Sequence, residues 1–338
     1  MIIIKVARNC AKIMSLRGLC VSAFVVFCGL MLVFAVSTSG CGRGGVLDET
    51  AGEAGGSDSF RIVCLSPAVT DILIDLGVGD FIVGRDAWDE ELGADVPRVG
   101  DLTNLDAEGM VRLRPSDVVL QAGRRGVPAG FDALARERGW KVLNVQIDSL
   151  ADILEVVDAL AHALSFGGDD ELRARVLEKA EELRSDFDAA TKPIEGWSRG
   201  VYEGGDGDGV EPRTVLLLYE VDPPSAFGPG SYLGDVLLRV GVVNALGDGG
   251  AWQELDAETL IHLDPWGMVV IRDGAVEEWG ARADVGRLTQ LPLRAIREGR
   301  SYQVSHPRAL LPGTCVIEVA RELRAVLKLM ASNDGDSN

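Results

Sequence analysis

Several signatures of enzyme chemistry are missing from this chain. It has no G-x-S-x-G nucleophile turn, no G-x-x-x-x-G-K-[ST] phosphate loop, no H-E-x-x-H pair and no C-x-x-C. The stretch GPGSYLG (228–234) supplies two glycines of a dinucleotide loop and misplaces the third. Histidine is scarce, with three in 338 residues. Scattered as His162, His262 and His306, they build no zinc or manganese cluster without many carboxylates, so no resident metal or cofactor is expected. Of six cysteines, Cys10, Cys20 and Cys28 lie in an apolar N-terminal segment and Cys41 just beyond it, leaving Cys64 and Cys315 for the folded body. Two cysteines are no disulfide framework. Each sits in an apolar pattern, where a buried thiol and, in an oxidising compartment, a mutual bridge both stay open. Basic residues are in deficit, 33 against 52 acids, for a net charge of −19, which argues against a nucleic-acid partner.

Acid is absent from the beginning of the chain: none occurs before Asp48. Lys5, Arg8, Lys12 and Arg17 precede an uncharged run from Leu19 to Val36, the layout of an export signal over residues 1–40. Eighteen apolar residues are also long enough for a permanent anchor. Thr38-Ser39-Gly40 then leads into Cys41 and a polar, glycine-rich stretch, GRGGVLDETAGEAGGSDS, read as a flexible tether over 41–58. The junction resembles a bacterial lipoprotein signal, with Cys41 as the lipidated residue, although Thr38 stands where leucine is usual. Lipidation, ordinary cleavage and a retained anchor all export the chain beyond residue 58.

What is present from residue 59 onward is an alternation of short apolar runs and helical stretches. FRIVCL, DFIVG, SDVVLQAG and WKVLNVQ read as strands, AVTDILIDLG and FDALARERG as helices. Strands alternating with helices imply a parallel sheet covered on both faces, here an N-terminal lobe over 59–168. Residues 170–190 carry Leu172, Val176, Leu177, Ala180, Leu183 and Phe187 near 3.6 spacing, which predicts one uninterrupted helix within 169–192, about 30 Å long. A glycine- and acid-rich segment, 193–213, reads as a surface insertion; its Asp206 and Asp208 lack the spaced acids of a calcium loop. The alternation restarts over 214–331 with TVLLLYEV, SYLGDVLLRVG, GMVVIRDG and a closing helix, leaving 332–338 as a disordered tail. The fold class is therefore α/β, two Rossmann-like lobes with parallel sheets joined by one long interdomain helix.

One phrase occurs in both halves: DAEGMVRLRP at 106–115 and DAETLIHLDP at 256–265. Asp106 and Asp256 suit helix caps, Glu108 and Glu258 add charge to the first turn, and Pro115 and Pro265 stop the helix. Met110, Val111 and Leu113 in one copy, and Leu260, Ile261 and Leu263 in the other, are the expected buried face.

The order RIVCLSPAVTDILIDLGVGDFIVG, VGDLTN, DAEGMVRLRPSDVVLQAG resembles the N-terminal lobe of the periplasmic substrate-binding proteins for vitamin B12, iron-siderophores and haem. The long helix and the second copy fall where that family has its backbone helix and C-terminal lobe, so the resemblance covers roughly 60–330. It departs at Ser116, inserted before Asp117, and at Trp266-Gly267, where the aspartate is missing. The resemblance implies that Glu108 and Glu258 are exposed docking carboxylates for arginines on the permease of an ABC importer. Against that stands the plain alternative that both serve only their helix ends.

In open parallel sheets ligands bind beyond the carboxyl ends of the strands. Two facing lobes thus bring Ser66, Pro67, Asp86, Trp88, Thr103, Asn104, Arg124 and Arg125 toward Tyr219, Phe227, Ser231, Tyr232, Arg272, Asp273 and His306. Aromatics suit flat or greasy ligands, arginines suit carboxylates, and His306 is a candidate axial ligand if the ligand is haem. Expected partners are a corrinoid, haem or siderophore, a permease with its ATPase, and the membrane through a lipid anchor. The protein is expected to be a monomer, periplasmic or on the cell surface. A second reading keeps the fold as an extracytoplasmic sensor without a permease.

Overall fold

The computed structural model describes residues 2–3, 60–122, 126–195, 197, 213–247, 249–274 and 280–335. In chain order the first half comprises β1 (Ile2–Ile3), β2 (Ile62–Leu65), α1 (Pro67–Asp75), β3 (Ile82–Arg85), α2 (Ala107–Leu113), β4 (Asp117–Leu120), α3 (Phe131–Arg138), β5 (Lys141–Asn144) and α4 (Leu150–Ala163). Its sheet is parallel throughout, in the order β1-β5-β4-β2-β3. The edge strand β1 adds a structural element at residues expected to act only as an export signal. Local chemistry explains the helix starts. Ser66 takes the Val69 N–H at 3.3 Å with Pro67 in the first turn, and Ser149 and Asp152 cap α4 reciprocally.

The strut is α5 (Asp170–Ala190), started by Asp169, whose carboxylate accepts from the Leu172 N–H at 2.8 Å. Leu172, Val176, Ala180, Phe187 and Ala190 are buried along one stripe, while Leu177 and Leu183 sit at its margin. That stripe packs against α4 on one side and the closing helix on the other.

The second half comprises β6 (Thr214–Val221), β7 (Pro224–Phe227), α6 (Tyr232–Arg239), β8 (Val243–Asn244), β9 (Trp252–Glu254), α7 (Ala257–Leu263), β10 (Gly267–Asp273), α8 (Arg294–Arg297), β11 (Ser301–His306) and α9 (Val316–Gly335). Its sheet runs β11-β10-β6-β7-β9, with β8 beside β6. Here the expectation of parallel sheets holds only in part. β6 turns back through Asp222-Pro223 into β7, and β9 pairs antiparallel with β7, so this sheet is mixed. A two-residue connection permits only an antiparallel return, whereas a parallel one needs a crossover.

Two boundaries also shift. The insertion expected on the surface begins with Ile194 and Trp197, both buried in the core beneath the end of α5. Trp197 meets Trp266 edge to face at 5.2 Å, and Arg213 and Arg300 lie over the Trp266 ring. At the other end, α9 continues to Gly335, into residues expected to form a tail. The export signal after Ile3, the tether, Cys41, Asp206 and Asp208 fall outside the described residues. No helix among those described is long and apolar enough to cross a membrane.

One apolar cluster runs from β2 and α1 through α4, α5 and α9 to β6, β10 and β11. Smaller clusters fill the outer face of each sheet. The two lobes therefore share a core.

Candidate functional site

Three carboxylates shape the loop beyond β3. Asp86, itself buried, accepts from the Trp88 N–H at 2.9 Å. Asp101 takes the Thr103 and Asn104 N–H groups, each at 2.7 Å, on one oxygen and the Trp88 indole N–H at 3.3 Å on the other. Those donors hold the Asp101 carboxyl below the usual aspartate range, while burial raises that of Asp86. Asp89, with no exposed surface, fastens the far side by accepting from the Glu91 and Leu92 N–H groups. The result presents an indole that is 75% exposed on a cross-braced loop. A large ring held in water by a stiff support is pre-positioned to stack.

The second lobe carries a cluster of four rings, from β6, β7, α6 and β9. Phe227 lies at its base, fully buried, with Tyr219 at 5.3 Å, Tyr232 at 5.9 Å and Trp252 at 4.6 Å. Trp252 also touches Tyr219 at 5.3 Å and is 51% exposed. The exposed face of this cluster thus belongs chiefly to Trp252, a residue that the sequence reading passes over. Its signal is tertiary: β9 places it opposite Phe227 through antiparallel pairing, and no local pattern marks that register.

The remaining expected contacts divide. Ser66 is buried and consumed by the α1 cap and by a hydrogen bond to Gln121 at 2.8 Å. Pro67 starts that helix. Phe227 and Tyr232 have almost no exposed surface, and the Tyr232 hydroxyl donates to the Ala309 carbonyl at 3.3 Å, so both support the site from beneath. Ser231 caps α6. Thr103 and Asn104 are exposed in the Trp88 loop. Arg272, partly buried, reaches the Asp284 carbonyl at 3.5 Å. His306 ends β11 opposite Asp273, its Nδ1 buried with no partner among the described residues. Arg124 and Arg125 lie outside the described residues.

The repeated phrase forms the same object twice. α2 and α7 are seven-residue helices whose Asp106 and Asp256 accept from the N–H three residues on, at 2.8 and 2.7 Å. Each closes on a left-handed residue, Arg114 or Asp264, and leads into the next strand. Met110 and Leu260 are the buried anchors. Ile261 departs from expectation: it is 46% exposed, because it falls one position round the helix from the buried Leu260. Capping belongs to the aspartates. Glu108 is exposed and paired with Arg112 at 2.7 Å; Glu258 is exposed with no ion pair among the described residues.

Cys64 and Cys315 are free and buried, so no bridge joins them. Burial pushes the Cys64 thiol up to about 12. Among the described residues no group of three or more His, Cys, Asp or Glu side chains is placed to hold a metal ion. A cavity of about 730 Å³ lies away from the cleft, at the amino ends of β2 and β3, lined by Arg61, Asp80, Ile82, Leu92 and Pro97 among others.

The chain is thus two α/β lobes on a shared helical spine, each exposing an indole, Trp88 in the loop after β3 and Trp252 at the start of β9. Residues 62–274 match the family described as periplasmic binding protein, and the chain belongs to that family. Membership makes it a solute-binding protein and not an enzyme. An uncharacterized ABC transporter substrate-binding lipoprotein, YvrC, of Bacillus subtilis (strain 168) is 26% identical over 270 residues, covering 78% of each chain. Among solved structures, the periplasmic heme-binding protein RhuT from Roseiflexus sp. RS-1 superposes with a TM-score of 0.57 at 22% identity, over 81% of this chain and 99% of that one. The periplasmic vitamin B12 binding protein BtuF of Vibrio cholerae does so with 0.52 at 18%, over 80% and 97%.

Proposed function

We propose that this protein captures a cobalamin-like, haem or ferric-siderophore ligand between its lobes and delivers it to an ABC permease served by its ATPase. The observation that carries the ligand class is the ring cluster Tyr219–Phe227–Tyr232–Trp252, capped by a half-exposed indole, with the exposed Trp88 at the corresponding strand ends of the other lobe. Flat, partly apolar ligands gain most from such surfaces. The heme named for RhuT is of that kind. Glu108 and Glu258 are the docking carboxylates in this reading, one on each lobe; each stands exposed in the first turn of its helix, while the cap hydrogen bond is made by Asp106 or Asp256. Cys41 is the lipid attachment site that keeps a monomeric protein at the membrane. Difference-absorbance titration with cobalamins, haems and ferric siderophores tests the ligand class: saturable binding of one is expected, and binding of none removes it.

A further inference from the structure

Contacts from segments more than two hundred residues apart converge on one carboxylate. Asp71, on α1 of the first lobe, is 1% exposed. Its Oδ1 pairs with the Arg308 guanidinium. Its Oδ2 accepts from the Cys315 backbone N–H at 2.8 Å and from the Thr314 hydroxyl at 3.2 Å. All three donors belong to the segment that leads from β11 to α9 in the second lobe. Arg308 also faces Glu91 of the first lobe, Nε to Oε2 at 3.5 Å, and holds a left-handed backbone with φ of 72°. A Cβ added to Gly313 would stand 2.3 Å from Asp71 Oδ2, so only glycine permits the segment to approach this closely.

The physical consequence differs from that of the strut. α5 meets its neighbours through an apolar stripe, which is non-directional and tolerates small sliding, flanked by exposed ion pairs, Arg184–Asp158, Arg239–Asp188 and Arg321–Asp186, that water screens. Asp71 is different. Moving the lobes apart would strip a buried carboxylate of its cation and both its hydrogen-bond donors together, leaving an uncompensated charge. Asp235 also ties the halves, accepting from the Leu150 N–H at 3.0 Å, but from one donor only.

We propose that Asp71 is a positioning residue that sets the opening between the two lobes, clasping the segment 308–315 so that the cleft is held at one width before any ligand arrives. The clasp lies just beyond His306, the end of β11, and the segment it holds touches the ring cluster, the Ala309 carbonyl accepting from the Tyr232 hydroxyl at 3.3 Å. It rests on the two-lobed architecture alone and holds whatever the ligand is.

The test measures lobe spacing without ligand. Nitroxides are placed on Ala133→Cys and Gln290→Cys, exposed positions in different lobes, in the detergent-solubilised full chain with Cys10, Cys20, Cys28 and Cys41 replaced by serine. A control pair, Ala133→Cys with Glu155→Cys, lies within the first lobe. Pulsed dipolar spectroscopy is expected to give one narrow interlobe distribution in the parent chain. Asp71→Asn should broaden it and shift it to longer distance, leaving the control pair unchanged. Should Asp71→Asn not fold, Arg308→Met and Thr314→Val must produce the same displacement. An unchanged interlobe distribution, or an equal broadening of the control pair, overturns the proposal.

Discussion

Asp86 shows how a single carboxylate can be kept at a cost. It is buried, its proton affinity is raised first by that burial and then by the like charges of Asp101 and Asp89, and only the Trp88 N–H opposes the shift. A folded-state value above the unfolded one means that ionisation weakens the fold, so the favourable contribution is present in acid and lost as pH rises through the folded value. Asp86→Asn keeps an oxygen for the Trp88 N–H and removes the charge. Its urea midpoint is expected to exceed that of the parent at about pH 7 and to converge with it below the ~3.9 of an unperturbed aspartate. A midpoint below the parent's at neutral pH would show that the charge itself is needed. For Glu108 and Glu258 the expectation is the reverse of a stability effect. An exposed pair such as Glu108–Arg112 contributes at most about 0.5 kcal/mol. Glu108→Ala with Glu258→Ala should therefore leave the urea midpoint and ligand affinity intact while reducing uptake in cells that hold the cognate permease. Loss of folding would return both residues to a structural role.

At the level of elements, α2 and α7 are short helices made possible by their ends. With seven residues each they gain little from backbone hydrogen bonding alone. The caps and the single buried anchor beneath each, Met110 or Leu260, must do the rest. Asp106→Ala and Asp256→Ala are each expected to lower stability by about 1 kcal/mol in urea unfolding, with Thr259 and Gly109 amides exchanging faster with solvent. Much of this level was legible in the sequence because its signals are local. The cap three residues before its acceptor's partner, the proline after the helix and the 3.6 spacing of Leu172, Val176, Ala180 and Phe187 all act within a few residues. The hairpin partners were not legible in the same way. β9 is three residues long, has a mixed composition and acquires its meaning only by lying against β7. Trp252 has no local signal for that reason, and Ile261 is exposed where a buried face is expected because one position of rotation on a two-turn helix decides which side chain meets the core.

For the whole molecule, the two halves built to one plan are not two independent bodies. A continuous core passes through α4, α5 and α9, and the Asp71 clasp joins the lobes a second time near the strand ends. The repeat and the spine could be read from the residues in order. The clasp could not, since Asp71 and Arg308 lie 237 positions apart and nothing local to Asp71 marks Arg308 as its partner. Residues expected at the cleft sorted by depth in the same manner: sequence names the ring types, while burial separates Phe227 and Tyr232, which support, from Tyr219 and Trp252, which remain accessible in part. The central claim is that these rings receive a flat ligand. Fluorescence-quenching titration of the parent chain and of Trp252→Ala with cyanocobalamin, haemin and a ferric siderophore tests it most directly. The account predicts saturable, one-to-one quenching by one of the three, with affinity weakened about tenfold in the variant, as befits a lost stacking contact and its buried area. No saturable quenching by any of them, or equal affinity in parent and variant, would contradict it.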